Sequence, residues 1–280
     1  MIPRVLHTNC LLSKAINELG IPMLSMVDSR LRELIDRSLQ ELFEFKKEVV
    51  RSSMPILFFG NLERYNKSKR RKVVTVGLNP SRDEFPEGKR FSRFPAMRGW
   101  SPDTFDHNDY IKSLSCYFDG DYYQTYFDDF EDVIQVFCAS YHCGNLYDRA
   151  LHTDFCSPLA TRKLWGELYN AEQQGFKKKG VRLWMDLIDY LEPDLIFSTI
   201  AFKKHIAPKI TGRWRKRAVK IDTQEYNVYW VQTNFCAKHS LMVNVEHTIH
   251  EKLLMRHVLG NLSPSQRKQL GKSIYRMVMR

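Results

Sequence analysis

Residues 73–81 read VVTVGLNPS, and no other stretch constrains the chain as tightly. The β-branched run Val73–Val76 favours an extended strand buried on both faces. Gly77 lets another backbone or side chain approach closely, and Pro80 fixes the turn that stops the strand. A strand ending in Gly-X-Asn-Pro places one amide side chain, Asn79, at the carboxyl end of a sheet. Open α/β sheets bind their ligands at that end.

The remaining pattern supplies partners for such a strand. Residues 29–52 carry Leu31, Leu34, Ile35, Leu39, Leu42 and Phe43 at helical spacing, with Ser29 as the N-cap. The apolar PILFFGN (55–61) and the basic KSKRRK (67–72) lead into the first strand. A polar and aromatic stretch, 82–132, opens as loop and holds a short helix over 108–118, and FEDVIQVFCAS (130–140) reads as helix. Further strands are predicted over 148–156, 192–201 and 225–235, and helices over 160–172, 178–191, 202–208 and 245–261. Strands alternating with helices imply a parallel sheet covered on both faces. The expected fold is a three-layer α/β/α sandwich around a mainly parallel four-stranded sheet. Residues 1–54 would form a helical extension, 55–261 the α/β/α domain, and 262–280 a basic tail.

Lys and Arg exceed Asp and Glu by 43 − 32 = 11 in a chain of 280 residues. That balance suits a polyanion, with nucleic acid as the first candidate. No window approaches the ~18 uninterrupted apolar residues of a membrane span. MIPRVLHTNCLLSKAINELG lacks the apolar stretch and cleavage site of a leader. The six cysteines, at 10, 116, 138, 143, 156 and 236, include no CxxC pair, so neither a zinc ribbon nor an iron–sulfur cluster is suggested. Buried, reduced thiols in a monomeric cytoplasmic protein without cofactor or metal are expected.

Taken with PILFFGN, the turn VGLNPSRDEF resembles the first motif of the uracil-DNA glycosylase superfamily, and the likeness extends over roughly residues 55–260. It implies the superfamily's fold, extrusion of a base from DNA, and hydrolysis of its bond to the sugar. At the position of Asn79 the superfamily carries Asp or Asn. Asn orients a water without taking its proton, which suits a dissociative reaction with an oxocarbenium-like sugar. Ser81 stands where the strict uracil enzymes carry Tyr, whose ring excludes substituents at pyrimidine C5, so a Ser would leave that wall open. In EGKRFSRF (87–94), Phe91 lies near the distance of the segment that stacks on the flipped base. Phe85 and Phe94 are close competitors.

Asp154, in HTDFCSP, resembles a strand-end Asn that reads the uracil edge. An amide both donates and accepts, matching uracil N3–H and O4. A carboxylate only accepts, which matches cytosine N4, and a protonated one also donates toward cytosine N3. His239, in FCAKHSLM, corresponds to the second motif, where a His or Asn stabilises the departing anion at O2. The usual Pro is missing after it. Leu241 or Met242 would be the wedge inserted into DNA. His247 and His250 on the following helix lack a third metal ligand. The basic clusters KSKRRK (67–72), KKK (177–179) and RWRKR (213–217) are the expected phosphate contacts, with Arg70, Arg71, Lys72, Arg213, Arg215 and Lys238 foremost and Trp214 among them.

Together, Ser81 and Asp154 point to a monofunctional DNA glycosylase for C5-modified cytosine, such as the glucosylated base of phage DNA. The resemblance is nearest to divergent, basic, single-domain members that include bacterial antiviral enzymes. Repair of uracil or mismatched thymine, and a non-catalytic nucleic-acid-binding module, are the competing expectations.

Overall fold

The computed structural model describes residues 28–51, 53–89, 91–101, 104–142, 148–233, 239–248 and 258–279. In chain order the principal elements are α1 (Ser29–Glu44), α2 (Leu62–Asn66), β1 (Val73–Gly77), α3 (His107–Ser115) and α4 (Gln124–Ile134). A short parallel pair follows, β2 (Ala139–Ser140) and β3 (Asp148–Arg149), then β4 (Leu151–Asp154), α5 (Asn170–Leu191) and β5 (Leu195–Ser198). The chain continues through β6 (Arg215–Ile221), β7 (Gln224–Thr233), β8 (Ser240–His247) and α6 (Pro264–Val278).

The main sheet has six strands in the order β4-β1-β5-β8-β7-β6. β1 lies between β4 and β5 and is parallel to both, which accounts for its burial at every position. β8 continues the parallel set beside β5, while β7 and β6 add an antiparallel hairpin. The α/β class is as expected, but the sheet is mixed and larger than four strands. The strand predicted over 225–235 is present as Gln224–Thr233, yet it runs antiparallel. The last parallel strand is instead Ser240–His247, whose last three residues were expected to be helix.

Alternation along β4 separates the two faces. The His152 ring packs against Phe127 and Phe130 of α4, and Phe130 also meets Phe197 of β5. On the opposite face Trp184 of α5 donates to the Thr153 hydroxyl at 3.0 Å and packs edge-on to Phe155. α1 lies along α5, tied by ion pairs of Arg30 to Asp189 and Arg37 to Asp186. α6 is tied to α4 through Arg267, which pairs with Asp129 and Asp132. The outer edge of β4 is covered by the predicted PILFFGN segment, where Phe59 and His152 exchange backbone hydrogen bonds of 2.8 and 3.0 Å.

Other expectations shift by local physics. The α1 helix stops at Glu44 rather than running to 52, with Asp28 as its side-chain cap in place of Ser29. Residues 160–169 hold only a 3-10 turn, so the helix predicted over 160–172 begins at Asn170 and continues unbroken to Leu191. Gln173 donates to the carbonyls of Trp165 and Leu168 at 3.0 and 3.2 Å, holding that turn against the helix. Cys156 is buried, whereas Cys116 and Cys138 are exposed; all three are free thiols. No described helix is long and apolar enough to cross a membrane.

Candidate functional site at the strand ends

Pairing of β1 with β4 runs past the strand ends, where Phe155 N–H donates to Gly77 O at 2.9 Å and Cys156 N–H to Leu78 O at 2.8 Å. This ladder brings Asn79 and Asp154 to adjacent positions at the carboxyl edge of the sheet. Asn79 is half-buried. Its Nδ2 donates to Pro80 O at 3.0 Å, Leu159 O at 3.3 Å and Thr161 Oγ1 at 3.2 Å. These contacts fix the amide plane. Oδ1 accepts no hydrogen bond among the described residues and is left to orient a polar ligand.

Asp154 pairs in register with Gly77, and its side chain is almost fully buried on the α4 face. A Cβ at position 77 would stand 2.5 Å from Asp154 Oδ1, 2.7 Å from the Tyr126 hydroxyl and 3.1 Å from His152 Nε2. Glycine here makes room for a polar cluster rather than for a special backbone angle. Beneath it, Thr75 Oγ1 bonds both the Tyr141 hydroxyl and His152 Nδ1, the latter at 2.7 Å. The buried Tyr141 hydroxyl satisfies its proton by donating to Thr75, which then donates to Nδ1. That order leaves the proton of His152 on Nε2, 3.3 Å from Tyr126 Oη and 3.8 Å from Asp154 Oδ1. Asp154 Oδ2 is buried with no hydrogen-bond partner among the described residues. Burial raises the Asp154 carboxyl above the ordinary range, against the pull of His152.

Glu84 joins this cluster from the 3-10 turn Arg82–Glu84, directly after the Asn-Pro-Ser turn. Its Oε2 accepts from Tyr117 Oη at 2.7 Å and from Arg93 Nη1 at 3.1 Å. The Arg93 guanidinium lies over the Tyr123 ring, 5.3 Å from its centroid. Burial pushes Glu84 up to about 7 despite Arg93 and Tyr117, and the nearby Asp154 charge adds to the push. Tyr126 is pushed up by burial first and then by Asp154.

Ser81 caps the same 3-10 turn, its Oγ accepting from Asp83 N–H at 3.1 Å. Phe91 is buried edge-on to Phe85 and Trp100, and Phe85 stacks on Phe94. The three competing phenylalanines thus form one aromatic nest. Phe94, without exposure and packed on Tyr117, is its floor.

Several expected residues lie elsewhere. β8 runs parallel to β5 with Leu241 opposite Leu195, as Val73 is, so Leu241 belongs to the amino end of the sheet. His239, exposed and one residue before β8, is at that end too. The register therefore separates His239 and Leu241 from Asn79 by the length of the strands. Met242, the alternative wedge, is fully buried in β8. Arg70 and Arg71 are exposed just before β1, and Lys72 N–H donates to Asp194 at 2.8 Å, so all three are at the amino end. Arg213 and Arg215 are exposed at the start of the outer hairpin, and Arg215 pairs with Trp230. Trp214 donates to Ile210 O at 3.0 Å and packs edge-on to Phe202. Lys238 and His250 lie outside the described residues.

His247, the last residue of β8, is at the same end and on the same face as Asp154. Register and alternation through Val243, Phe197, Thr75 and His152 place it there. Its ring packs edge-on to Tyr226 at 5.1 Å. No protein-family model matches the chain, and comparison with curated proteins finds no match either.

Proposed function

We propose that this protein is a DNA glycosylase that excises a C5-modified cytosine by hydrolysis, leaving an abasic site. One observation carries the reading: Asn79 and Asp154 stand at the ends of neighbouring parallel strands, each with one oxygen uncommitted. The reading also draws support from the parallel run β4-β1-β5-β8 within the mixed six-stranded sheet, with α4 and α5 on opposite faces. Such an enzyme must take the base out of the stack before it can act.

The residues divide the work. Asn79 Oδ1 orients a water toward the sugar C1′. Its locked amide makes a positioning group of it rather than a base. Asp154 meets the extruded base at its hydrogen-bonding edge. In its protonated form, which burial favours, the carboxyl accepts from the exocyclic amine of cytosine through Oδ1 and donates to N3 through Oδ2. Donation to N3 also neutralises the charge that develops as cytosine departs. Uracil offers N3–H and O4 instead, so a neutral carboxyl in this orientation sets two donors and two acceptors face to face. Ser81 contributes a small side chain beside the turn, where a larger one would bar C5 substituents.

Asn79→Ala is the direct test. Single-turnover release of a modified cytosine should fall by about two orders of magnitude or more, with DNA affinity changed by less than about threefold. Equal rates in wild type and variant would remove Asn79 from the reaction. Unchanged DNA binding with no base release by the wild type would favour a binding module.

A further inference from the structure

The carboxyl end of the sheet also carries a cationic face, to which the basic cluster KKK (177–179) contributes Lys177. Its hub is Cys156, two residues beyond Asp154. Gly180 of α5 approaches so closely that a Cβ there would overlap the Cys156 carbonyl. That contact seats α5 on the strand-end turn and delivers Lys177, one helical turn earlier, beside it. From the other side comes the wide turn Phe202–Ile206 after β5, closed by Ala207 N–H to Phe202 O at 2.9 Å. It presents the buried His205, whose Nδ1 is 3.9 Å from Cys156 Sγ; Lys204 precedes it on the turn, and Lys209 follows, its N–H donating to Ile206 O at 2.9 Å. Phe202 anchors this turn by stacking on Tyr229, centroids 3.9 Å apart.

Lys177, Lys204 and Lys209 all act electrostatically on the Cys156 thiol. None of the three forms an ion pair with a carboxylate among the described residues. By contrast, Lys179, on the same helix, is paired with Glu44. Burial and then the neighbouring Lys204 and Lys209 hold the Lys177 ammonium below its ordinary range, although Cys156 opposes them. His205 is pushed down to about 3 by burial and by Lys177 and Lys204, so it adds no positive charge of its own. Convergent cations without counter-charges are costly in isolation and are relieved by an anion that spans them.

We propose that Lys177, Lys204 and Lys209 form the phosphate-binding face that grips the DNA strand beside the flipped nucleotide. This rests on the glycosylase reading for its choice of polyanion, because the face adjoins the turn that follows Asp154. It replaces Arg70, Arg71 and Lys72 as the contact surface, since those side chains belong to the other end of the sheet.

The test is fluorescence anisotropy of a labelled duplex titrated with the full chain from roughly 50 to 200 mM salt. Wild type is compared with K177Q/K204Q/K209Q and with K69Q/R70Q/R71Q, which removes the same charge from the amino end. The first variant should lower the slope of log affinity against log salt by about 2 to 3, and affinity by about tenfold or more. The second should change the slope by less than about 1. Equal losses in both variants, an unchanged slope in the first, or no DNA binding by wild type would overturn the proposal. If the triple variant fails to melt cooperatively, K204Q/K209Q decides: a slope reduced by about 2 supports the face and no reduction overturns it. A slope change without base release from any duplex would remove the glycosylase reading and leave the lysine face standing. Base release with an unchanged slope would do the reverse.

Discussion

Gly77 and Asp154 face one another across the parallel register of β1 and β4, and the Asp154 carboxylate lies in the space that a side chain at 77 would need. Gly77→Ala would push the carboxylate, the Tyr126 hydroxyl and the His152 ring away from their common centre. The backbone at 77 is ordinary extended strand, so steric displacement is the main effect. Base release should fall by about a hundredfold while the far-UV circular dichroism is retained. Wild-type turnover in the Ala variant would show that this cluster does not shape the site.

Asp154 also sets a pH dependence. Its carboxyl is raised by burial, so the donating, protonated form prevails at low pH and is lost as pH rises through that raised value. Single-turnover excision of a cytosine-type base should therefore decline on the alkaline side. In Asp154→Asn the decline should vanish and preference should move toward uracil. An unchanged preference would place Asp154 outside the base pocket.

The register of β8 separates two histidines. His247 shares an end and a face with Asp154, whereas His239 stands at the opposite end. His247→Ala should slow base release about 10²- to 10³-fold, the loss found when one donor to a developing anion is removed. His239→Ala should leave the rate within about threefold. The opposite pattern in the same assay would contradict the strand assignment at its most consequential point.

Buried glutamates make the fold less stable toward alkaline pH. Glu41 on α1 and Glu84 by the site are both pushed up to about 7, chiefly by burial. The native state therefore holds protons that the unfolded chain releases near its ordinary carboxylate pKa, about 4.5. Their contribution to stability is present below that value and is lost as pH climbs toward 7. Glu41→Gln, remote from the strand ends, should reduce the fall in Tm between those limits by a few degrees. Thermal melts across the window check it; an identical pH profile in the variant would mean that Glu41 ionises normally.

Much of this arrangement was legible in the sequence where the physics is local. A β-branched run buried on both faces has a distinctive composition, so β1 and its Asn-Pro stop could be read directly, as could Asp154 near the end of its predicted strand. β8 was obscured because SLMVNVEH carries Asn244, Glu246 and His247, whose polarity breaks the apolar pattern of a buried strand. The structure supplies reasons for two of the exceptions. Asn244 Nδ2 ties the loop after β5 through Ile200 O at 2.8 Å, and His247 stands at the strand end. Strand direction has no local signature either, so β7 passed for the last parallel strand and drew His239 with it. Glu84 was overlooked for a related reason. Its partners Arg93 and Tyr117 are nine and 33 residues away, and only the fold makes a buried acid of it.

Chemistry at the strand ends is tested most directly by matched duplexes carrying uracil, a G·T mismatch, cytosine, 5-hydroxymethylcytosine or its glucosylated form. Each is incubated with the full chain and treated with alkali to cut abasic sites. Strand cleavage is expected for the C5-modified cytosines, with none for uracil or mismatched thymine and loss of cleavage in Asn79→Ala. Cleavage of uracil alone would contradict the role of Ser81 and Asp154, and no cleavage of any duplex would contradict the glycosylase itself.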